Sequence, residues 1–355
     1  MNERTRLASV DALRGLTVAA MLLVNDAGDW GHVYAPLEHA RWHGCTPTDL
    51  IFPFFLVIVG VSLSLSLGPR IEGGADAAAM RRGVLARALR IVVLGLALHA
   101  VAYWAMDMRA FRPFGVLQRI GICFAAAGLL AIHTRPRTQW LIFALVLLGY
   151  GWLLLWGGPL TKEGNLASRI DTALLGRFAY EFDAATGRGH EPEGLLSTLP
   201  AIATTLLGLR AGDWLRQGQR DRLWQGGVAA LAAGWLWSSV LPLNKQLWTS
   251  SYVLWSGGWA LLALLIAHVL VDRRGWPAIG RSLGVNAIAA YAGSWLMVCA
   301  LVALHWMQPI YRHGFAWMTP ATGPYLPSLA FAAAVVAVWW LIVAALDHRG
   351  IYFKV

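Results

Sequence analysis

The chain has 355 residues, of which 57% are hydrophobic and only 14% charged, with a mean hydropathy of +0.54. A soluble domain carries roughly 25% charged residues, so this composition excludes a water-soluble body and makes lipid the outer solvent. The net charge of +10 does not point to nucleic acid, because the basic residues fall between apolar runs, where they set topology and meet anionic headgroups.

The N-terminus, with Arg4 and Arg6 before the apolar stretch 16–24, has the outline of a signal peptide. Asp11 and Arg14 interrupt it and no small-x-small cleavage site follows, so it reads as a retained first span. A span needs about 20 apolar residues. Candidate spans lie near 9–27, 48–68, 84–106, 113–133, 138–156, 195–212, 223–242, 250–271, 283–305 and 326–346. The expected fold is therefore an all-α, polytopic transmembrane helix bundle of about ten spans, forming a single domain over 1–355 with a long outer loop near 157–194. Eighteen Lys and Arg fall on one side of this arrangement and nine on the other. The positive-inside rule then puts both termini in the cytoplasm, as an even span count requires. Nineteen Trp residues suit the two membrane interfaces. Gly208 with Gly212, and Gly280 with Gly284, have the G-x-x-x-G spacing of close helix contacts. Cys45, Cys123 and Cys299 form no C-x-x-C pair and argue against a disulfide framework.

Ionisable residues at membrane depth are costly and so mark functional hypotheses. Asp11 and Arg14 share a helix face; they form either an internal ion pair or a basic wall for a phosphate-bearing ligand. Asn25 and Asp26 end the first span. His32, Glu38, His39, Trp42, His43 and Asp49 follow in the first outer loop. Thr46-Pro47-Thr48-Asp49 reads as a helix start, with Thr46 as N-cap and Pro47 in the first turn. His39 and His43 have three readings: interface residues, metal ligands at i, i+4 spacing, or a general base. No further ligand set is evident, so no metal is expected. Arg119 sits inside the fourth span and needs a partner. Glu193 and Asn244 bring polar groups to the outer membrane surface, and Asn286 enters the ninth span. Together these residues line the outer half of a bundle with the hydrogen-bonding and aromatic groups that a sugar requires.

The string R-x-x-S-V-D-A-L-R-G-L-T from Arg6, then V-N at Val24 and Asn25, then H-A-x-W-x-G-x-T-x-x-D-L-I-F-P-F-F-L-x-I-V-G from His39, resembles the catalytic membrane domain of the heparan-α-glucosaminide N-acetyltransferase family. Bacterial NagX-like inner-membrane proteins belong to the same family. L-Q-R-I, E-P-E-G-L-L-S-T-L-P, L-N-K-Q-L-W-T-S-S and N-A-I-A are similar to later family blocks, so the resemblance covers nearly the whole chain in order. It implies a transmembrane N-acetyltransferase that moves an acetyl group from cytoplasmic acetyl-CoA to the amine of a glucosamine-type sugar on the periplasmic side. It also implies a bacterial inner-membrane location and a homodimer. Carried over by motif, His39 is the essential histidine and Asn25 the catalytic asparagine. Either His39 acts as general base, with Asp49 fixing its tautomer, or His39 is itself acetylated and passes the group on. Arg14, Arg82, Arg87, Arg90 and Arg119 are candidate partners for CoA phosphates. Glu193, Asn244 and Trp42 are candidate sugar contacts. His43 stands where the lysosomal relative has Asn, which leaves the acceptor open. The lysosomal relative's N-terminal luminal region and additional span have no counterpart here, which implies that this chain does not capture a long polysaccharide. The alternative function is an inner-membrane carrier of amino sugars or chitooligosaccharides; a carrier needs no base, and the His39, Asn25 and Asp49 set favours the enzyme.

Overall fold

The computed structural model describes residues 7–107 and 110–353. Arg4, Arg6, Arg109 and Lys354, counted above for topology, lie outside the described residues. The chain is an all-α bundle: α1 (Ala8–Asn25), α2 (Ile51–Glu72), α3 (Ala77–Ala105), α4 (Val116–His133), α5 (Pro136–Trp156), the short α6 (Leu166–Leu175), α7 (Leu195–Arg216), α8 (Arg220–Trp237), α9 (Ser250–Ala267), the short α10 (Arg281–Val285), α11 (Ala287–Ala303), α12 (Met307–Gly314), α13 (Thr319–Thr322) and α14 (Tyr325–His348). α9 runs on into a π-helical turn, His268–Arg273. The only described strands, β1 (Glu181–Asp183) and β2 (Arg188–His190), form an antiparallel hairpin with Phe182 opposite Gly189.

The span count departs from the expected ten. Eight helices among the described residues are long and apolar enough to cross a bilayer, or nine if α11 and the segment Met307–Thr322, bent 94° from it, make one broken span. The expected span near 223–242 forms α8, but Arg220, Asp221 and Arg222 in its opening turn lower its hydropathy. The expected span near 283–305 is interrupted at Asn286, between α10 and α11.

Polar contacts divide the bundle into two ends. At one end Ser9 bonds Asp272, Arg216 pairs with Glu72 at 2.5 Å and Arg281 pairs with Asp347 at 2.7 Å. Asn286 donates to the Ile351 carbonyl at 3.2 Å and accepts from the Phe353 amide at 3.2 Å. Both ends of the described chain therefore meet on one face. At the other end lie the first loop, the 157–194 segment, the 238–249 turn and the bent segment after α11. α8 connects the same two ends as its neighbours, because it starts just after Arg216 and leads into the 238–249 turn.

Helices without side-chain bulk between them can approach until their backbones touch, which is how association proceeds when lipid removes the hydrophobic drive. A Cβ on Gly208 would lie 2.1 Å from the Val57 carbonyl oxygen, and one on Gly60 2.0 Å from that of Thr205, so α2 and α7 cross backbone to backbone. A Cβ on Gly284 would lie 1.8 Å from the Asp11 carbonyl oxygen, and one on Gly15 1.8 Å from that of Gly280. Both G-x-x-x-G spacings thus mark contact points. By contrast a Cβ on Gly83 of α3 meets nothing within 4 Å. Gly208→Ala is expected to lower the thermal midpoint in detergent by several degrees. Gly83→Ala is expected to hold or raise it, since an exposed helical Gly costs about 1 kcal/mol relative to Ala. Fluorescence-detected unfolding of the two variants checks the contrast.

Candidate active site

The first loop closes on itself through Asp49. Thr46 is the N-cap residue of a short 3₁₀ turn, Pro47–Leu50, that leads into α2, with Pro47 in its first turn. Asp49, only 1% exposed, accepts four hydrogen bonds: from His39 Nδ1 at 2.8 Å, the Ala40 amide at 3.1 Å, and the Thr46 amide and hydroxyl at 2.9 and 3.1 Å. Its own carbonyl accepts from the Tyr252 hydroxyl of α9 at 2.5 Å. With Asp49 as acceptor, His39 carries its proton on Nδ1, which leaves Nε2 as the unprotonated nitrogen. The His39 side chain is 48% exposed.

His39 and Asp49 border a cavity of about 560 Å³ at this end of the bundle. Asn25, Glu193, Arg112, His99 and Lys245 border the same cavity, with Trp248 and Phe52 as part of its apolar wall. Asn25 is exposed at the end of α1, and its amide makes no hydrogen bond among the described residues. Asp26 turns inward; burial pushes its carboxyl up to about 7. Glu193 precedes α7 and shares Arg112 with Glu191. Burial works against its charge, but Arg112, Arg119 and Lys245 outweigh burial and hold its carboxyl below the usual range. Arg112 lies 4.2 Å over the Tyr180 ring, which connects this network to β1. His99 donates from Nδ1 to the Arg112 carbonyl at 2.7 Å.

Lys245 comes from a tight turn. Asn244, fully buried, accepts from the Leu247 amide at 2.8 Å through its side chain and from the Thr249 amide at 3.1 Å through its carbonyl. Trp248, at φ 52, occupies the left-handed region that a bulky residue rarely adopts. Its indole donates to Thr204 at 3.1 Å and packs edge-on against Phe52 and Tyr252. This turn sets Lys245 Nζ 3.1 Å from His39 Nε2 and 3.3 Å from Nδ1. Burial pulls its ammonium below the usual lysine range, with Glu193 and Asp49 opposing.

The structure brings His39, Asp49, Asn25 and Glu193 together around one cavity. Asn244 is not on the cavity wall; it shapes the turn and reaches His43 Nδ1 at 3.4 Å. Trp42 donates to the Leu160 carbonyl at 2.7 Å and packs against His190, beside the cavity rather than in it. Arg119 is 1% exposed, donates to Ser197 at 2.5 Å and Gly194 at 3.2 Å, and lies 5.2 Å from the Trp248 ring, behind the cavity wall. Arg14 is bonded to the Gly284 carbonyl at 2.9 Å, Ser62 at 3.2 Å and Asp11 at 3.2 Å, where α1 crosses α10. Arg82, Arg87 and Arg90 are exposed on α3, and Arg87 lies 5.2 Å from the Phe124 ring. These five arginines do not converge on one place. The 38–45 loop is irregular, so His39 and His43 do not share a helix face. Burial, with Asp49 adding to it, pushes the Cys45 thiol up to about 12, which removes thiolate chemistry there.

Lys245, Arg112 and His99 are the site residues that sequence reasoning left out. Lys245 had a signal, the cation inside the L-N-K-Q-L-W-T-S-S block. Arg112 and His99 read as a loop charge and a span residue, and only folding places them at the cavity.

Fold and site define a polytopic helical membrane protein with an imidazole–carboxylate pair bordering a cavity at one end of the bundle. The sequence model of the catalytic domain of heparan-alpha-glucosaminide N-acetyltransferase matches residues 6–238, and the chain belongs to that family. Among its relatives are the human and mouse proteins named heparan-alpha-glucosaminide N-acetyltransferase, 25% and 26% identical over 412 and 417 aligned positions and covering 99% of this chain. The chain spans 60% of the length of each.

An acid whose pKa rises on folding stabilises the fold at low pH, and that stabilisation is lost as pH rises through the folded value. For Asp26 the window runs from its ordinary 3.8 to about 7. Asp26→Asn is therefore expected to melt above wild type at pH 8, with the gap closing towards pH 5. Thermal midpoints across that range test the sign.

Proposed function

We propose that this protein is a transmembrane N-acetyltransferase that moves an acetyl group from acetyl-CoA to the amine of a glucosamine-type sugar. The observation that carries this reading is the Asp49–His39 pair bordering a cavity of about 560 Å³, in a chain of this family. A cavity of that size takes a sugar ring together with a small acyl group.

Acyl transfer to an amine needs the amine unprotonated, the thioester oriented and the developing oxyanion stabilised. His39 Nε2 takes the proton that the amine loses as it bonds to the carbonyl carbon. Asp49 holds the imidazole in the tautomer that leaves Nε2 free and stabilises the imidazolium that results. Asn25 Nδ2, not engaged elsewhere among the described residues, donates to the thioester oxygen as it gains charge. Glu193, held ionised at the wall, accepts from the sugar's hydroxyl or amine. The C–S bond then breaks, and the leaving sulfur carries the electron pair away as thiolate or, with the transferred proton, as thiol. The end of the bundle that holds the site faces the periplasm, and the opposite end, rich in arginine, faces the cytoplasm of a bacterial inner membrane.

Purified protein supplied with radiolabelled acetyl-CoA and glucosamine is expected to yield N-acetylglucosamine. His39→Ala is expected to lower the rate by roughly 10²–10⁴, the usual worth of a general base. Binding of the sugar with no acetylated product from wild type would overturn the enzyme reading in favour of an amino-sugar carrier, which uptake into proteoliposomes would then show. Glu193→Gln is expected to raise KM for the sugar about tenfold, one lost charge-assisted hydrogen bond, with a smaller change in kcat.

A further inference from the structure

Several aromatic rings border the cavity, and most are engaged within the protein. Trp248 and Phe52 pack edge-on against each other, and the Trp295 indole donates to the Leu98 carbonyl at 3.1 Å. Tyr180, just before β1, differs. It borders the cavity of about 560 Å³ and also a second one of about 320 Å³ lined largely by β1 and β2. The residue is 53% exposed, although Arg112 lies 4.2 Å over its ring. A guanidinium covers only one face, so the other is open. The Tyr180 hydroxyl makes no hydrogen bond among the described residues. The ring is nonetheless held in place. The Tyr180 amide donates to Glu191 at 3.0 Å, and Arg112 is fixed in turn by Glu191 and Glu193. Trp30 is also exposed at the cavity, but among the described residues no group holds its ring.

We propose that Tyr180 is the platform on which the sugar ring stacks in this cavity. One guanidinium sets both the plane of the Tyr180 ring and the position of the Glu193 carboxylate. An apolar face and an anionic edge therefore stand in fixed relation. A pyranose has the matching shape, with C–H bonds on its faces and hydroxyls and the amine around its rim. Those C–H hydrogens carry partial positive charge and meet the negative face of the aromatic ring, while the rim donates to the carboxylate. The open-chain form of the same amino sugar has every donor but no fixed apolar face. Tyr180 thus selects a closed ring, which Glu193 alone does not. The proposal rests on the function given above only for its ligand, an amino sugar, and not for acetyl transfer.

Equilibrium binding of tritiated glucosamine and of tritiated glucosaminitol, its reduced open-chain form, to the full chain in detergent tests this without acetyl-CoA. Wild type is expected to prefer glucosamine. Tyr180→Ala and Tyr180→Leu are expected to weaken glucosamine about tenfold and to change glucosaminitol by about twofold at most. Tyr180→Phe keeps the ring and is expected to stay within about threefold of wild type. Phe178, two residues earlier, is an exposed ring beside Arg177 that borders neither cavity, and Phe178→Ala is expected to leave both affinities unchanged. Glucosamine affinity unchanged in the Ala and Leu variants overturns the proposal. So does an equal loss for both compounds, which would make Tyr180 a structural support of the Arg112 network, and so does a wild type that binds no glucosamine. Binding with the expected Tyr180 dependence but no product on adding acetyl-CoA removes the enzyme and leaves the platform. Acetylation by wild type, with Tyr180→Ala unchanged in affinity, does the reverse.

Discussion

A carboxylate cannot be buried at the start of a membrane helix without full hydrogen bonding, because an unpaired charge there costs several kcal/mol. Asp49 meets that demand with four donors, all of them from residues 39–46. The same bonds begin α2, fold the first loop back on itself and turn the His39 ring. Tyr252 ties the Asp49 backbone to α9. The orientation of the imidazole is therefore not a separate device. It follows from satisfying one buried charge, and loss of that charge would release the loop, the helix start and the histidine together.

The rest of the bundle separates two tasks. Glycines at the α1–α10 and α2–α7 crossings bring backbones into contact and hold the helices in register where lipid offers no hydrophobic drive. Charges collect at the two ends. At the end away from the cavity they pair with one another, as in Arg216 with Glu72 and Arg281 with Asp347. At the cavity end the pairing is asymmetric: Arg112 serves both Glu191 and Glu193, and the Lys245 ammonium lies 3.1 Å from Nε2 of His39. The unusual backbone at Trp248 belongs to this arrangement. Strain of that kind persists only where surrounding contacts over-determine it, and here the Asn244 side chain, Thr204 and the edge-on aromatic neighbours do so.

Much of the fold was legible because its main signal, apolar length, is local. The difference between the expected ten spans and the eight or nine that pass on length and hydropathy among the described residues is local too: α8 opens with three charged residues, and α11 is preceded by a break at Asn286 and followed by a sharp bend. The cap at Thr46 and Pro47 was readable for the same reason. Site residues were less so. Arg14 and Arg119 were identified as charges that required partners, but whether the partner is a ligand or the protein's own carbonyls and hydroxyls is a matter of contacts far apart in the chain. Asn244 and Trp42 carried the right chemistry for a sugar, and folding spends their hydrogen bonds on a turn and on the Leu160 carbonyl.

The sequence by itself determined that the chain lives in lipid, that it is helical, how the segment before α2 begins, and which motif blocks it shares with its family. These follow from composition, period and neighbour-to-neighbour chemistry. The tertiary structure alone decided that Lys245, 206 positions from His39, lies 3.1 Å from its ring, that Arg112 and Glu193 close one wall, and that the arginines stay apart. Pairing over such separations depends on how helices cross and where loops return, and neither is written in any single stretch of residues.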